Sequence, residues 1–326
     1  MLEQQRARQP GETMALCGRT YKVEEVVDSD GMYMNYRVSF PQLKPQWESV
    51  VYELYPKGMG EHIRRGADGA LFCDDVGKME MQAYVLPFWK GFQAQADALA
   101  GMLSSREGGI GYVSTHGGHY ILRVSPRGTP LSRRLSGSPL SFEALMGIAA
   151  GLLDGLEHYH QRGLLHLDIC PQTVRLLEGC GVLLEHRGYG LWLSQMPGAF
   201  PLAGTPGYAP PEVQLRNYSQ IDQTSDLYAV CAVLFRLLVG RPLGEEELLG
   251  SGLRRAFSPE LAAFYHIPSK TMDHMARILR KGLHTLPRKR YQSVEELRLE
   301  LLAATRHVLS QDPVSRRPPE GRARFV

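Results

Sequence analysis

The spacing of apolar residues changes period about one third of the way along this 326-residue chain. From Tyr21 to about Gly118 the apolar runs are short, branched and aromatic: Tyr21–Val27, Tyr33–Phe40 and Ser49–Tyr55, the last stopped by Pro56. Such runs pack on a pleated surface, and the Gly, Pro and Asp between them favour turns, so antiparallel strands are expected. Gly111–Val113 and His119–Val124 add two more strands, and Asp28–Gly31 reads as a turn. One helix interrupts the sheet between Phe88 and Met102, with Phe92, Ala96 and Leu99 on one face. After Leu140 the period becomes helical. Ser141 can cap a helix whose face carries Leu145, Ile148, Leu152, Leu156 and Tyr159. Ser258-Pro259 pairs a cap with a proline at the first helical position, and Ser293 to Glu296 is a capping box opening a last helix to about Leu309. The expectation is an α+β chain: a small antiparallel sheet lobe with one main helix, then a larger α-helical lobe.

The apolar run Leu227–Gly240 is fourteen residues long and contains Arg236. A membrane span needs about 20 apolar residues, so this run reads as a buried helix. The chain divides into a flexible arm over residues 1–20, a sheet lobe over 21–124, a helical lobe over 125–310 and a basic Pro/Arg-rich tail over 311–326. The last thirteen residues hold four arginines against one glutamate, which accounts for the whole formal net charge of +3. The remainder is neutral and offers no large basic face for nucleic acid. Five cysteines without a CxxC pair suit a reducing cytoplasmic setting.

The most informative stretch runs from Leu164 to Val213. His166-Leu167-Asp168-Ile169-Cys170-Pro171-Gln172-Thr173 resembles the H-R-D-x-K-P-x-N catalytic loop of the eukaryotic-type protein kinase family. Gly204-Thr205-Pro206-Gly207-Tyr208-Ala209-Pro210-Pro211-Glu212 is similar to the family's G-T-x-x-Y-x-A-P-E segment. Ser225-Asp226 looks like the start of its central helix with the buried aspartate. Pro287 to Arg290 resembles the late P-x-x-R, whose arginine pairs with the A-P-E glutamate. Four matches in order, within a resemblance covering roughly residues 21–307, identify a bilobal kinase-like fold closest to bacterial serine/threonine kinases. Aminoglycoside-type kinases share an H-x-D loop but lack the A-P-E segment and its arginine.

The resemblance also implies which positions carry chemistry, and there this chain departs from the family. Phosphoryl transfer rests on metal-bridged phosphates and a positioned acceptor. The glycine-rich loop falls at Asp28–Met34, where only Gly31 is kept and Asp28 and Asp30 bring negative charge. Tyr52 stands at the third-strand lysine and Gln95 at the helix glutamate that would pair with it. Thr173 replaces the asparagine of the catalytic loop, and Leu167 and Cys170 replace its arginine and lysine. His186-Arg187-Gly188 stands where D-F-G is expected. Magnesium wants hard oxygen ligands, which imidazole is not. Glu185 lies one residue early and faces away on its strand. Asp168 survives as a vestigial base position, read as a loop-ordering carboxylate held by backbone amides. His166, Glu212, Asp226 and Arg290 match positions that hold the helical lobe together.

Structure is kept and chemistry is lost, which is the pattern of a pseudokinase. The leading expectation is a catalytically inactive scaffold or allosteric regulator in bacterial signalling. Its partner would be another protein: an active kinase, a phosphatase, or a signalling or secretion component. Binding of ATP is expected to be weak or absent and magnesium absent, and no metal site is expected. A soft-metal set of His166, Cys170 and His186 falls short of four ligands. Two alternatives stay open: a serine/threonine-type phosphotransferase using Asp168 with Arg37 or Arg187 as substitute cations, and a ligand sensor that binds without turnover.

Overall fold

A computed structural model of the chain describes residues 7–30, 33–55, 62–66, 69–82, 89, 93, 109–115, 117–177, 181–185, 191–192, 204–248 and 252–309. Two units are distinguished, Met1–Arg127 and Gly128–Val326, so the division falls three residues beyond the expected one.

Branched and aromatic runs become strands throughout the first unit. In chain order these are β1 (Thr13–Leu16), β2 (Arg19–Asp30), β3 (Tyr33–Ser39), β4 (Trp47–Leu54), β5 (Ile63–Arg65), β6 (Leu71–Cys73), β7 (Gly109–Thr115) and β8 (Gly118–Pro126). Six form one antiparallel sheet in the order β1-β2-β3-β4-β8-β7, and β5 and β6 make a separate hairpin. Central β4 is buried on both faces from Glu48 to Leu54, because it has strands on either side and cover above and below. One face gathers Met34, Tyr36, Val38, Val51 and Tyr120 with Ile63 and Leu71 of the hairpin into a single apolar cluster.

Two expectations need correction here. The arm over residues 1–20 is structured from Arg8 onward. β1 pairs with the start of β2, and Met14 and Leu16 are buried. The connecting Cys17 and Gly18 have φ of 50° and 71°. Two consecutive left-handed residues suit the right-handed twist of a tight hairpin, but Cys-Gly lacks the Asn-Gly or Asp-Gly signature. The turn expected at Asp28–Gly31 is shorter: Asp28, Ser29 and Asp30 continue the ladder opposite Asn35, Met34 and Tyr33. Gly31 itself lies outside the described residues, as does nearly all of the helix expected over 88–102. Of that helix, Trp89 is described; it is buried edge-on against Tyr112, with ring centroids 5.9 Å apart.

A polar network lies within the apolar cluster. Glu53 is fully buried and accepts from Arg65 Nη1 and Nη2 at 2.8 and 2.5 Å and from the Tyr36 hydroxyl at 2.9 Å. The Arg8 backbone N–H donates to the Tyr36 oxygen at 3.2 Å, while the Arg8 and Arg65 guanidiniums both reach the Gly69 carbonyl. Burial, helped by the Glu53 charge, pushes the Tyr36 phenol well above its ordinary range and that of Tyr120 up to about 12. α1 (Asp75–Glu80) follows the hairpin, its first turn capped by Asp74, which accepts from the Gly77 N–H at 2.7 Å.

The second unit is built on helices. β9 (Gly128–Pro130) leads through a helical turn at Leu131–Arg134 to α2 (Phe142–His160), capped by Ser141 as expected. Short strands β10 (Leu164–Leu165), β11 (Val174–Leu177), β12 (Val182–Leu184) and β13 (Leu191–Trp192) follow. α3 (Gln223–Val239) is buried along nearly its whole length, as its uninterrupted apolar sequence requires. It begins four residues before the expected Leu227, because Asp222 and Ser225 close a capping box. α4 (Ser269–Gly282) and α5 (Val294–Leu309) complete the unit. A β-carbon on Gly282 would sit 2.2 Å from Cys231 Sγ, so glycine permits the close approach of α4 to α3. Among the described residues no helix is long and apolar enough to cross a membrane.

Candidate active site

The loop from His166 to Thr173 owes its shape to a carboxylate outside it. Asp226, in the first turn of α3 and fully buried, accepts from the backbone N–H groups of His166 at 2.9 Å and Leu167 at 2.7 Å. His160, near the end of α2, holds the same carboxylate from a third side at 2.9 Å. To present both amides the chain takes a left-handed turn at Leu167, φ 58°. That conformation costs a non-glycine residue about 1–2 kcal/mol, and two charge-assisted hydrogen bonds offset it.

His166 is occupied at both ring nitrogens. Its Nδ1 lies 3.3 Å from the Asp168 N–H and its Nε2 lies 3.2 Å from the Glu185 carbonyl, which makes Nδ1 the acceptor and Nε2 the donor. The ring packs on Tyr159. His166 is therefore a structural post of the loop, and neither nitrogen is left for a soft metal.

Thr173 is fully buried, and its side chain points back into the loop. The hydroxyl accepts from the Cys170 N–H at 3.0 Å and donates to the Asp168 carbonyl at 2.6 Å, with the Cys170 carbonyl at 3.0 Å. Asp168 is 6% exposed. Its Oδ1 accepts from the Thr205 hydroxyl at 3.1 Å, and the Cys170 thiol lies 3.9 Å from the same oxygen. Asp226 orders the loop through two of its backbone amides, and the donors to Asp168 include the Thr205 and Cys170 side chains. Thr205 sits in the G-T-P-G segment, so the two motifs meet at this bond. Leu167, Asp168, Thr205, Tyr208 and Val213 surround a cavity of only about 10 Å³. That is at the lower limit for one water molecule.

Glu185 is buried and takes Arg175 Nε at 2.6 Å. Arg175 in turn donates to the Gly128 carbonyl at 3.1 Å. The sequence reading turned Glu185 away from the loop but missed the arginine that receives it. Pairing of β11 with β12 places Val174 opposite Leu184, which brings the two side chains together. His186 lies outside the described residues, and so does Gln95.

Further along, Glu212 and Arg290 form a buried bidentate pair at 2.6 and 2.8 Å. Ser225 donates to Glu212 at 2.7 Å, and Arg290 also reaches the carbonyls of His284 at 2.7 Å and Thr285 at 3.0 Å. The guanidinium stacks on Tyr228, whose phenol burial pushes up to about 12. The Arg290–Glu212 pair, through Ser225, and the Asp226 carboxylate thus both anchor the start of α3.

In the first unit, Tyr52 is 2% exposed on β4, opposite Asn35 and Ile121. Arg37 and Arg123 share its sheet face, both opposite Val50. Arg37 is held by Glu25 and lies 4.0 Å from Glu48, and Arg123 lies 4.0 Å from the other Glu48 oxygen. The sequence analysis offers Arg37 and Arg187 as substitute cations and does not name Arg123. The alternation in His119–Val124 would have placed Arg123 beside Arg37. Among the described residues no cluster of His, Cys, Asp or Glu could hold a metal ion.

Residues 110–302 match the family model described as the protein kinase domain. Over 200 residues the chain is 28% identical to serine/threonine-protein kinase Pkn1 of Myxococcus xanthus, an alignment covering 58% of this chain and 28% of that protein. A probable serine/threonine-protein kinase of Streptomyces coelicolor is 30% identical over 199 residues, 56% of this chain and 28% of its own. A mitogen-activated protein kinase of Candida albicans is 27% identical over 205 residues, 52% of each chain. The alignments span little more than a quarter of the length of the two bacterial relatives. The family model covers more than half of the sequence, and with the Asp226-pinned loop and the Glu212–Arg290 pair in place, the chain belongs to the protein kinase family.

Proposed function

We propose that this kinase-family chain is a pseudokinase, a signalling module that acts by binding another protein and does not transfer phosphate. The observation that carries the reading is the Thr173 hydroxyl. At the position where the resemblance calls for a metal-binding amide, it is spent 2.6 Å from the Asp168 carbonyl. The remaining donors fit magnesium no better. Glu185 is held by Arg175, position 186 is histidine, and Asp168 is engaged by Thr205. Magnesium is held through one or two carboxylates beside water and phosphate oxygens, and in that set each carboxylate already has a donor. Tyr52 brings no charge where a phosphate-binding lysine is expected. Recruitment of Arg37 in its place would require breaking its pair with Glu25.

Without metal and lysine, several kcal/mol of charge stabilisation are missing, and each ~1.4 kcal/mol is tenfold in rate. The retained Glu212–Arg290 and Asp226 networks preserve the helical unit, which suits a cytoplasmic scaffold or allosteric regulator of a kinase, phosphatase or secretion component. Melting of the full chain with ATP, with and without magnesium, tests this together with labelled-phosphate transfer. We expect no magnesium-dependent shift and no transfer above background. Transfer that is abolished in Asp168→Asn would overturn the reading, as would stabilisation that needs magnesium.

A further inference from the structure

A cleft of about 740 Å³ lies in the helical unit, and none of its lining residues belongs to the loop from His166 to Thr173. It is walled by the loop Leu135–Leu140, the C-terminal end of α3 and the helical turn Pro259–Phe264 with Tyr265. Its size falls within the range of ligand pockets. Three arginines line it, Arg134, Arg236 and Arg241, and no carboxylate does.

Arg236 interrupts the most apolar run of the sequence, and its side chain is half-buried on α3. Among the described residues its guanidinium makes no hydrogen bond or ion pair. Arg134 donates to the Ser138 carbonyl, a neutral partner, and among the described residues it makes no ion pair. Arg241 differs: Glu247 takes it at 2.6 and 3.1 Å, and it stacks on Phe235. Among the described residues, two cations of the cleft are therefore without an ion-pair partner. The same lining includes Leu145, Leu238, Leu261 and Phe264, so the cleft combines apolar and positive groups.

A guanidinium on a partly dry surface gains most from a carboxylate that meets it with paired hydrogen bonds. We propose that this cleft binds an acidic peptide segment of a partner protein, its Asp or Glu side chains on Arg236 and Arg134 and an apolar side chain between them. The chain's own arginine-rich tail has the wrong charge to fill it. A fatty acid has one carboxylate and would satisfy one arginine, whereas two acidic side chains of a peptide would satisfy both, and Ser136, Gly137 and Ser138 add polar groups that suit a peptide backbone. The site lies wholly within the second unit, and it stands whether or not the chain transfers phosphate.

Selection of random dodecapeptides displayed on phage against the full chain tests the proposal. Enriched sequences should combine Asp or Glu with Leu, Ile or Phe. A fluorescein-labelled synthetic copy of the most enriched peptide should bind at least about tenfold more weakly to Arg236→Gln and to Arg134→Gln. Thermal melts that stay close to wild type would show that both variants fold. Should Arg236→Gln fail to fold, Arg134→Gln decides alone. Enrichment of basic or neutral peptides, no enrichment, or undiminished affinity in a folded variant would overturn the proposal. Laurate binding that depends on Arg236, with no acidic peptide enriched, would assign the cleft to a lipid anion and overturn it as well.

Discussion

Replacing Arg290 by methionine removes a buried charge of the helical unit and leaves its partner behind. Arg290 is 1% exposed and Glu212 2%, so solvent screening gives no relief. The substitution deletes both Glu212 contacts, at 2.6 and 2.8 Å, and frees the carbonyls of His284 and Thr285. Glu212 keeps one donor, the Ser225 hydroxyl at 2.7 Å. Breaking such a pair from one side costs about 3–5 kcal/mol, chiefly because the surviving charge is stranded. For a unit of this size each kcal/mol moves the melting temperature by about 2–4 °C, so Arg290→Met should melt roughly 6–20 °C below wild type. Removing both charges together, as Glu212→Leu with Arg290→Met, should recover part of the loss, since an apolar pair carries no desolvation cost. Circular-dichroism melts of the full chain decide the matter. If Arg290→Met melts within about 2 °C of wild type, the pair contributes almost nothing and the account of this network fails.

In the sheet unit, Glu53→Gln should cost several kcal/mol by stranding Arg65, read as a lower urea midpoint; a midpoint unchanged within error would show that the network is dispensable. Gly282→Ala should destabilise by about 1–3 kcal/mol because the new methyl meets Cys231 Sγ, and adding Cys231→Ala should restore part of it in a double-mutant cycle. Tyr120 and Tyr228 are raised to about 12 when folded, so the folded state holds their protons more tightly than the unfolded chain, in which phenols ionise near pH 10. Their contribution is complete below about pH 10 and is lost as pH rises from there through about 12. Urea melts across that range should show falling stability, with a flatter profile in Tyr120→Phe; an equally steep profile would refute the assignment.

Hydrophobic period was enough to expect the two kinds of architecture, because strand and helix alternation is written locally in Tyr33–Phe40 and in Leu145–Tyr159. Caps at Ser141, Ser258 and Ser293 were legible for the same reason: a short side chain meets an amide three residues on. The β1–β2 hairpin was not, since Cys17-Gly18 carries no strong turn signature and the value of the pairing comes from burying Met14 and Leu16 against distant strands. At the candidate site, residue identity at Asp168, Thr173, Asp226, Glu212 and Arg290 could be read from motif order. That Asp226 holds two of the loop amides could not, because it lies about sixty residues from their N–H groups. Nor could the sequence reveal that Arg175 takes Glu185 or that Arg236 lines a cleft with no carboxylate. Local preferences act over a few bonds and are carried by the residue types themselves. The partners of a buried charge are chosen by packing between segments far apart in the chain, and folding alone brings those segments together.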